Sequence, residues 1–220
     1  MTVIIAAPAV AVARERPVLA RAAKRLLDLV VAIVLLLVLL PLMAVIAAAV
    51  FVSDPGPVLF RQERVGRFGR TFRITKFRTM VTDAESRLWN DPALLERYIA
   101  KDHKLEPDED PRVTRIGRVL RSTSLDELPQ LLNVLAGSMS LVGPRPVLAS
   151  EVPHYGDRVD QVLSVRPGMT GLWQVSGRSN VGRPERVELD HVYAGDWSIA
   201  GDIGILARTI VVVATRVGAF

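Results

Sequence analysis

Between Leu29 and Val52 the chain carries no charged residue. As a helix rising about 1.5 Å per residue, this run is roughly 36 Å long, enough to cross a hydrocarbon core of about 30 Å. A run of that length cannot be covered by an ordinary core, so it constrains everything else. Half of all residues are hydrophobic but only 5% are aromatic. Ala, Val and Leu therefore supply the excess, as lipid-facing segments require. A secretory signal is disfavoured, because the basic residues Arg14 to Arg25 follow an apolar start instead of preceding a short apolar core.

The flanks bear on topology. Arg21, Lys24 and Arg25 precede the run, and Arg61, Arg64, Arg67, Arg70, Arg73, Lys76 and Arg78 follow it. Basic residues beside membrane segments favour the cytoplasmic side. A simple spanning helix places one cluster on the disfavoured face, whereas a hairpin that dips in and returns satisfies both. Pro41, near the middle, removes a backbone hydrogen bond and bends a helix. Spanning helices also contain proline, so these features leave both topologies open. Either way the body is cytoplasmic.

The remaining chain reads as one α+β unit. Residues 1–20 form an aperiodic leader, 21–54 the membrane segment and 55–220 the main domain. Val58 to Val65 and Thr71 to Met80 are expected strands around Gly66 and Gly69. Helices are expected from Asp83 to about His103, from Pro111 to Thr123 and from Asp126 to Ala136. A strand is expected from Thr170 to Val175. The tail from Ile199 to Val217 is apolar but interrupted by Asp202, Arg208 and Arg216. Those charges point to an amphipathic helix, packed or lying at a bilayer surface. Trp173 and Trp197 suit either headgroup depth or a core.

Net charge is +5, with 28 Lys and Arg against 23 Asp and Glu, and cysteine is absent. Thiol nucleophiles, disulfide frameworks and Cys-ligated metals are thereby excluded. The positive balance calls for an anionic partner. Neither a recognition helix nor an aromatic platform for nucleic acid is legible, so headgroups and phosphorylated substrates remain.

The most informative stretch is Ser124-Leu125-Asp126-Glu127-Leu128-Pro129-Gln130. A helix begun at Ser124 would place Pro129 too deep, where its ring clashes with an earlier carbonyl. One begun at Asp126 keeps Pro129 in the first turn. Asp126 is then either an ordinary N-cap or half of a carboxylate pair, with Glu127, that holds a divalent cation. A carboxylate so placed can also attack phosphorus. Fixed cations surround the pair in sequence: Lys76 and Arg78, then Arg112, Arg115, Arg118 and Arg121. Arg145, held between two prolines, suits bidentate phosphate recognition. Asp108-Glu109-Asp110 offers a competing Asp-x-Asp metal–nucleotide pattern, and a basic non-enzymatic scaffold at the membrane is a second alternative.

Several motifs occur together and in order: Lys24-Arg25-Leu26-Leu27-Asp28, Lys76-Phe77-Arg78-Thr79-Met80, Asp110-Pro111-Arg112-Val113-Thr114, Ser124 to Val134, Gly143-Pro144-Arg145-Pro146 and Arg166-Pro167-Gly168-Met169-Thr170-Gly171. With them the chain, from about Lys24 onward, resembles the bacterial sugar transferases of the monotopic polyprenyl-phosphate phosphoglycosyl transferase family. Leu172 to Arg178 and Asp196-Trp197-Ser198 are most similar to members that start exopolysaccharide units with galactose or glucose phosphate. The resemblance implies a mainly helical catalytic domain with a small β-hairpin, anchored on a re-entrant helix–break–helix at Pro41. There Leu40 stands where many members have serine. It implies Asp126 as nucleophile, Glu127 as essential neighbour, and Mg²⁺ held by both. It further implies substrate binding by Lys76, Arg78, Arg112, Arg121, Arg145 and Asp202. A UDP-sugar would be the donor and polyprenyl phosphate the acceptor, at the cytoplasmic face of a bacterial inner membrane. A homodimer is compatible with this reading.

Overall fold

A computed structural model describes residues 16–101, 105–177 and 181–215. Most of the expected leader, and the positions of His103, Arg178, Arg216 and Val217, lie outside these residues. The apolar run belongs to one long helix, α1 (Val18–Ser53), which continues through Pro41 instead of stopping there. It is the one helix, among the described residues, long and apolar enough to cross a membrane. Leu37 and Val38 are each 69% exposed and Val45 66%, an apolar surface of the kind that marks a protein-interaction or membrane-facing site.

Both ends of α1 are pinned to the same body. At its start, Lys24 Nζ donates to Asp202 Oδ2 at 2.5 Å and to the Val142 carbonyl at 3.0 Å. Arg25 caps the carbonyls of Val134 and Leu135, among the last of the helix Gln130–Ala136, where positive charge also suits the helix dipole. Asp28, buried, accepts from Ser140 Oγ and the Leu141 amide, both at 3.0 Å. At its far end Asp54 is ion-paired with Arg78 and accepts from the Thr82 amide at 2.8 Å. Basic residues that signal topology in the sequence thus also serve as docking pins.

The expected hairpin is present. β1 (Leu59–Val65) pairs antiparallel with β2 (Thr71–Phe77), Leu59 opposite Phe77 and Val65 opposite Thr71. The helix expected from Asp83 is instead two, α2 (Ala84–Asn90) and α3 (Pro92–Ala100). Pro92 disfavours helical backbone at Asp91, and the Asp91 carboxylate starts α3 by accepting from the Leu94 amide at 3.0 Å. The next helix, α4 (Arg115–Thr123), begins later than Pro111 because Thr114 is its N-cap, accepting from the Gly117 amide at 2.9 Å.

After α5 (Gln130–Ala136), β3 (Ser140–Val142) runs parallel to β4 (Gly168–Thr170). Between them lie a 3₁₀ stretch, Ala149–Arg158, and α6 (Val159–Leu163). The strand expected from Thr170 to Val175 ends at Thr170, and the chain turns into α7 (Leu172–Val175). Its aromatic and branched residues imitate a strand, but the helical turn packs Leu172 and Val175 on the main core and buries Trp173. α8 (Arg183–Asp196) and α9 (Ile199–Thr215) complete the described fold. The main core joins Ala32 of α1, Ile74 of β2, Leu131 and Val134 of α5, and Trp197 and Ile205 beside and on α9. Trp173 and Trp197 are therefore both buried in protein. A second cluster, Ile46, Val50, Phe77 and Leu120, seats the far end of α1 on β2 and α4.

Candidate active site

Asp126 sits in a corner between two helices. α4 is terminated by Ser124, which adopts left-handed backbone (φ 58°) and donates its amide to the Arg121 carbonyl. A single 3₁₀ turn, Leu125–Glu127, follows, and α5 starts only after Pro129. The expected helix from Asp126 is therefore not formed. Pro129, lacking an N–H, is tolerated where α5 begins, and the pair occupies the turn before it. Asp126 is not the N-cap of a regular helix. A left-handed non-glycine residue beside a carboxylate pair is the kind of local strain that functional sites retain.

Lys76, near the end of β2, faces both acids: its Nζ is 2.6 Å from Glu127 Oε1 and 3.9 Å from Asp126 Oδ2. Arg121 lies behind, its Nε donating to Thr79 Oγ1 at 2.9 Å. This close approach of α4 to Thr79 needs glycine at 117, where a Cβ would fall 1.9 Å from the Thr79 carbonyl oxygen. Asp126 is only 8% exposed. Burial pushes its carboxyl up to about 6; Glu127's charge adds to the rise, while Lys76 and Arg121 oppose it. At pH 7 the group is mostly ionised, poorly hydrated and more basic than an ordinary aspartate, which suits a nucleophile.

The structure divides the remaining expected residues. Arg112 clasps Asp110 with two 2.8 Å bonds and stacks on Tyr98 at 4.9 Å. Asp110 in turn lies within the field of Arg121, favouring its charge while Arg112 opposes it. The clasp also commits both Asp110 oxygens, and Glu109 pairs with Lys101 at 2.5 Å, which weakens the Asp-x-Asp alternative. Arg78 is committed to Asp54. Asp202 is almost fully buried and engaged elsewhere: it holds Lys24 and accepts from Tyr193 Oη at 2.7 Å. Pro41 lies within α1.

Arg145 stands in a second basic group. Its guanidinium lies 5.8 Å from the Trp173 ring centroid, and Arg186 covers the same ring at 4.8 Å. Beneath them Asp190, 1% exposed, accepts from Tyr155 Oη at 2.9 Å, and its Oδ1 is buried with no hydrogen-bond partner among the described residues. Burial pushes Asp190 up to about 7, against the Tyr155 bond and the nearby arginines. Arg64 links this group to the acid pair, feeling both Arg145 and Glu127. Sequence reasoning misses Asp190, Tyr155, Arg186 and the role of Arg64. Only Arg64 is discoverable, because strand parity places it on the same hairpin face as Lys76.

The donor set fits a small hard cation. Two adjacent carboxylates are hard oxygen donors, and Mg²⁺ is usually held by one or two carboxylates plus substrate phosphates. Among the described residues there is no cluster of three or more His, Asp or Glu side chains that could hold a metal, so a bound phosphate would have to complete the shell.

Two carboxylates, one raised by burial, with Lys76 and Arg121 beside them make a candidate site whose charges suit an anionic substrate. The chain belongs to the bacterial sugar transferase family, whose model matches residues 19–216. It is 47% identical over 201 residues to an undecaprenyl-phosphate galactose phosphotransferase of Salmonella typhimurium, covering 90% of this chain and 41% of that protein. It is 42% identical over 201 residues to the exopolysaccharide production protein ExoY of Sinorhizobium fredii, covering 90% and 88%. It is 39% identical over 198 residues to the UDP-glucose:undecaprenyl-phosphate glucose-1-phosphate transferase of Escherichia coli, covering 86% and 40%. The chain thus spans about two fifths of the Salmonella and Escherichia proteins.

Proposed function

We propose that this protein transfers galactose- or glucose-1-phosphate from a UDP-sugar to polyprenyl phosphate, releasing UMP and opening the membrane stage of exopolysaccharide or related glycoconjugate assembly. The names of the relatives support the donor, acceptor and pathway class. The observation that carries the chemistry is the Asp126 carboxylate, buried between Lys76, Arg121 and Glu127.

An Asp126 oxygen attacks the β-phosphorus of the donor. The bond from that phosphorus to the bridging oxygen breaks, its electron pair leaves with UMP, and a phosphosugar remains on Asp126. The acceptor's phosphate oxygen then attacks the same phosphorus and regenerates the carboxylate. Lys76 and Arg121 neutralise charge on the phosphoryl oxygens, the main help such transfers receive. Arg145 binds phosphate, with Asp190 in the field of its charge. Asp126 and Glu127 would hold Mg²⁺, which supplies further charge neutralisation when bound.

An acceptor whose tail is confined to lipid requires the site to lie at headgroup depth. The packing of both ends of α1 on one body, with Leu37, Val38, Leu40 and Leu42 exposed between them, supports a re-entrant hairpin bent at Pro41 and a catalytic body on the cytoplasmic face. α9, apolar yet charged at Arg208, suits the surface of the same bilayer. The test is incubation with a panel of UDP-sugars, Mg²⁺ and undecaprenyl phosphate. UMP release from a UDP-hexose supports the reading; release of UDP, or of no nucleotide, overturns it.

A further inference from the structure

The β-hairpin register brings a second cation to the acid pair's side of the molecule. Phe60 lies opposite Lys76, Gln62 opposite Ile74 and Arg64 opposite Phe72. Opposed residues share a face and alternate residues return to it, so Arg64 and Lys76 stand on one face. Four residues separate their positions along the strands, about 14 Å of backbone, a gap that two long side chains and a diphosphate can bridge.

The Arg64 guanidinium is poorly provided for. Its side chain is 11% exposed, and Glu151 is 3.6 Å away. One Nη donates to Gln62 Oε1 at 2.6 Å, the other only loosely to the Pro146 carbonyl at 3.3 Å. Its Nε is buried and has no partner among the described residues. Burial, with Arg145's charge beside it, pushes the group down to about 10. A buried donor left unmade costs free energy, and two guanidiniums in one another's field repel. Arg186 adds a third positive charge within reach of Arg145. Opposing them are Glu151, Glu127 and Asp190. An anionic ligand would partner the buried Nε and relieve the repulsion between Arg64 and Arg145.

Resting on the reading above, we propose that Arg64 contacts substrate: with Arg145 it binds the donor phosphate that departs as the nucleoside monophosphate. The charges felt by Asp126 are those of Lys76, Glu127 and Arg121, so those cations serve the phosphoryl group being transferred. Arg64 is one step removed, within the field of Glu127 and Arg145. As the bridging oxygen takes the electron pair of the broken bond, the leaving phosphate gains a negative charge, and Arg64 meets it with a charge-assisted hydrogen bond. The merely structural alternative is that Arg64 braces the Gly-Pro-Arg-Pro loop through Pro146.

The test uses the full chain in lipid nanodiscs, with UMP alone as probe in calorimetry, followed by UMP product inhibition and the KM for undecaprenyl phosphate. Arg64→Gln is expected to weaken UMP binding about 10- to 100-fold, the worth of one or two charge-assisted bonds, with the acceptor KM unchanged. Arg64→Lys keeps the charge but loses the fork and is expected to lose at least about threefold. UMP affinity within about twofold of wild type in either folded variant overturns the proposal and leaves the loop-bracing role. If Arg64→Gln fails to fold, Arg64→Lys decides. A wild-type protein that binds no UMP overturns both this proposal and the functional reading. UMP binding that depends on Arg64, in a protein whose Asp126→Asn variant stays active, retains Arg64 and sinks only the covalent step.

Discussion

Replacing Asp126 by asparagine should make the protein more stable while removing its activity. The carboxyl is raised from 3.8 to about 6, chiefly by burial. That rise corresponds to roughly 3 kcal/mol of native-state cost once the group is ionised. Its folded pKa lies above its unfolded one, so the native state is favoured by protonation. The cost is absent below about pH 4, grows as the pH rises towards 6 and is constant above that. At pH 5 it is about half the full value. Asparagine removes the charge but still needs partners for its amide, so a gain of about 1–3 kcal/mol is expected at about pH 8. For a chain of this size that is a rise of roughly 2–12 °C in melting temperature. Thermal unfolding in matched micelles at about pH 8 and about pH 5 reads it directly. An asparagine variant that melts no higher than wild type at the higher pH, or whose gain does not shrink at the lower, would refute the idea of a desolvated, charged Asp126.

Other consequences are open to measurement. The rate of UMP release in the first half-reaction should fall at acid pH, because protonated Asp126 cannot attack, with Mg²⁺ on the pair drawing that limb below the metal-free value of about 6; a rate that rises as the pH is lowered contradicts this. Lys76→Met removes the charge 3.9 Å from Asp126 and should move that acid limb up by roughly one pH unit, besides lowering the rate. Asp202→Ala leaves Lys24 buried without its partner and should cost about 3–5 kcal/mol in unfolding experiments, with the KM for the UDP-sugar unchanged in protein that folds. Gly117→Ala should cut activity at least about tenfold, since α4 must withdraw from Thr79 and take Arg121 with it; normal turnover would show that Arg121's placement is unimportant.

Local signals carry much of the architecture. An uncharged apolar run, a hairpin around two glycines and the apolar tail are each legible because one feature dominates each. Where two signals compete, the sequence misleads. Asp91-Pro92 interrupts a convincing helical pattern, and Trp173 with its branched neighbours imitates a strand that tertiary burial converts into a helical turn. Pro129 forbids a helix from Ser124, but the left-handed turn at Ser124 that lodges Asp126 between two helices has no sequence mark. Candidate site residues divide the same way. Asp126, Glu127, Lys76 and Arg121 do converge. Arg78, Arg112 and Asp202 look identical to them in sequence, yet spend their charges on Asp54, Asp110 and Lys24. Which partner a buried charge finds is a long-range matter: Asp202 and Lys24 are 178 positions apart. Asp190, aligned with no nearby motif, is visible only once α8 is packed beneath Arg145.

The central claim is that Asp126 becomes covalently phosphorylated by the donor. Wild-type protein mixed with UDP-hexose and Mg²⁺ in the absence of lipid acceptor, quenched and digested, should yield a peptide containing Asp126 that carries one hexose phosphate and loses it on addition of undecaprenyl phosphate. An unmodified peptide alongside stoichiometric UMP release, or the same adduct on another side chain in the Asp126→Asn variant, would contradict it.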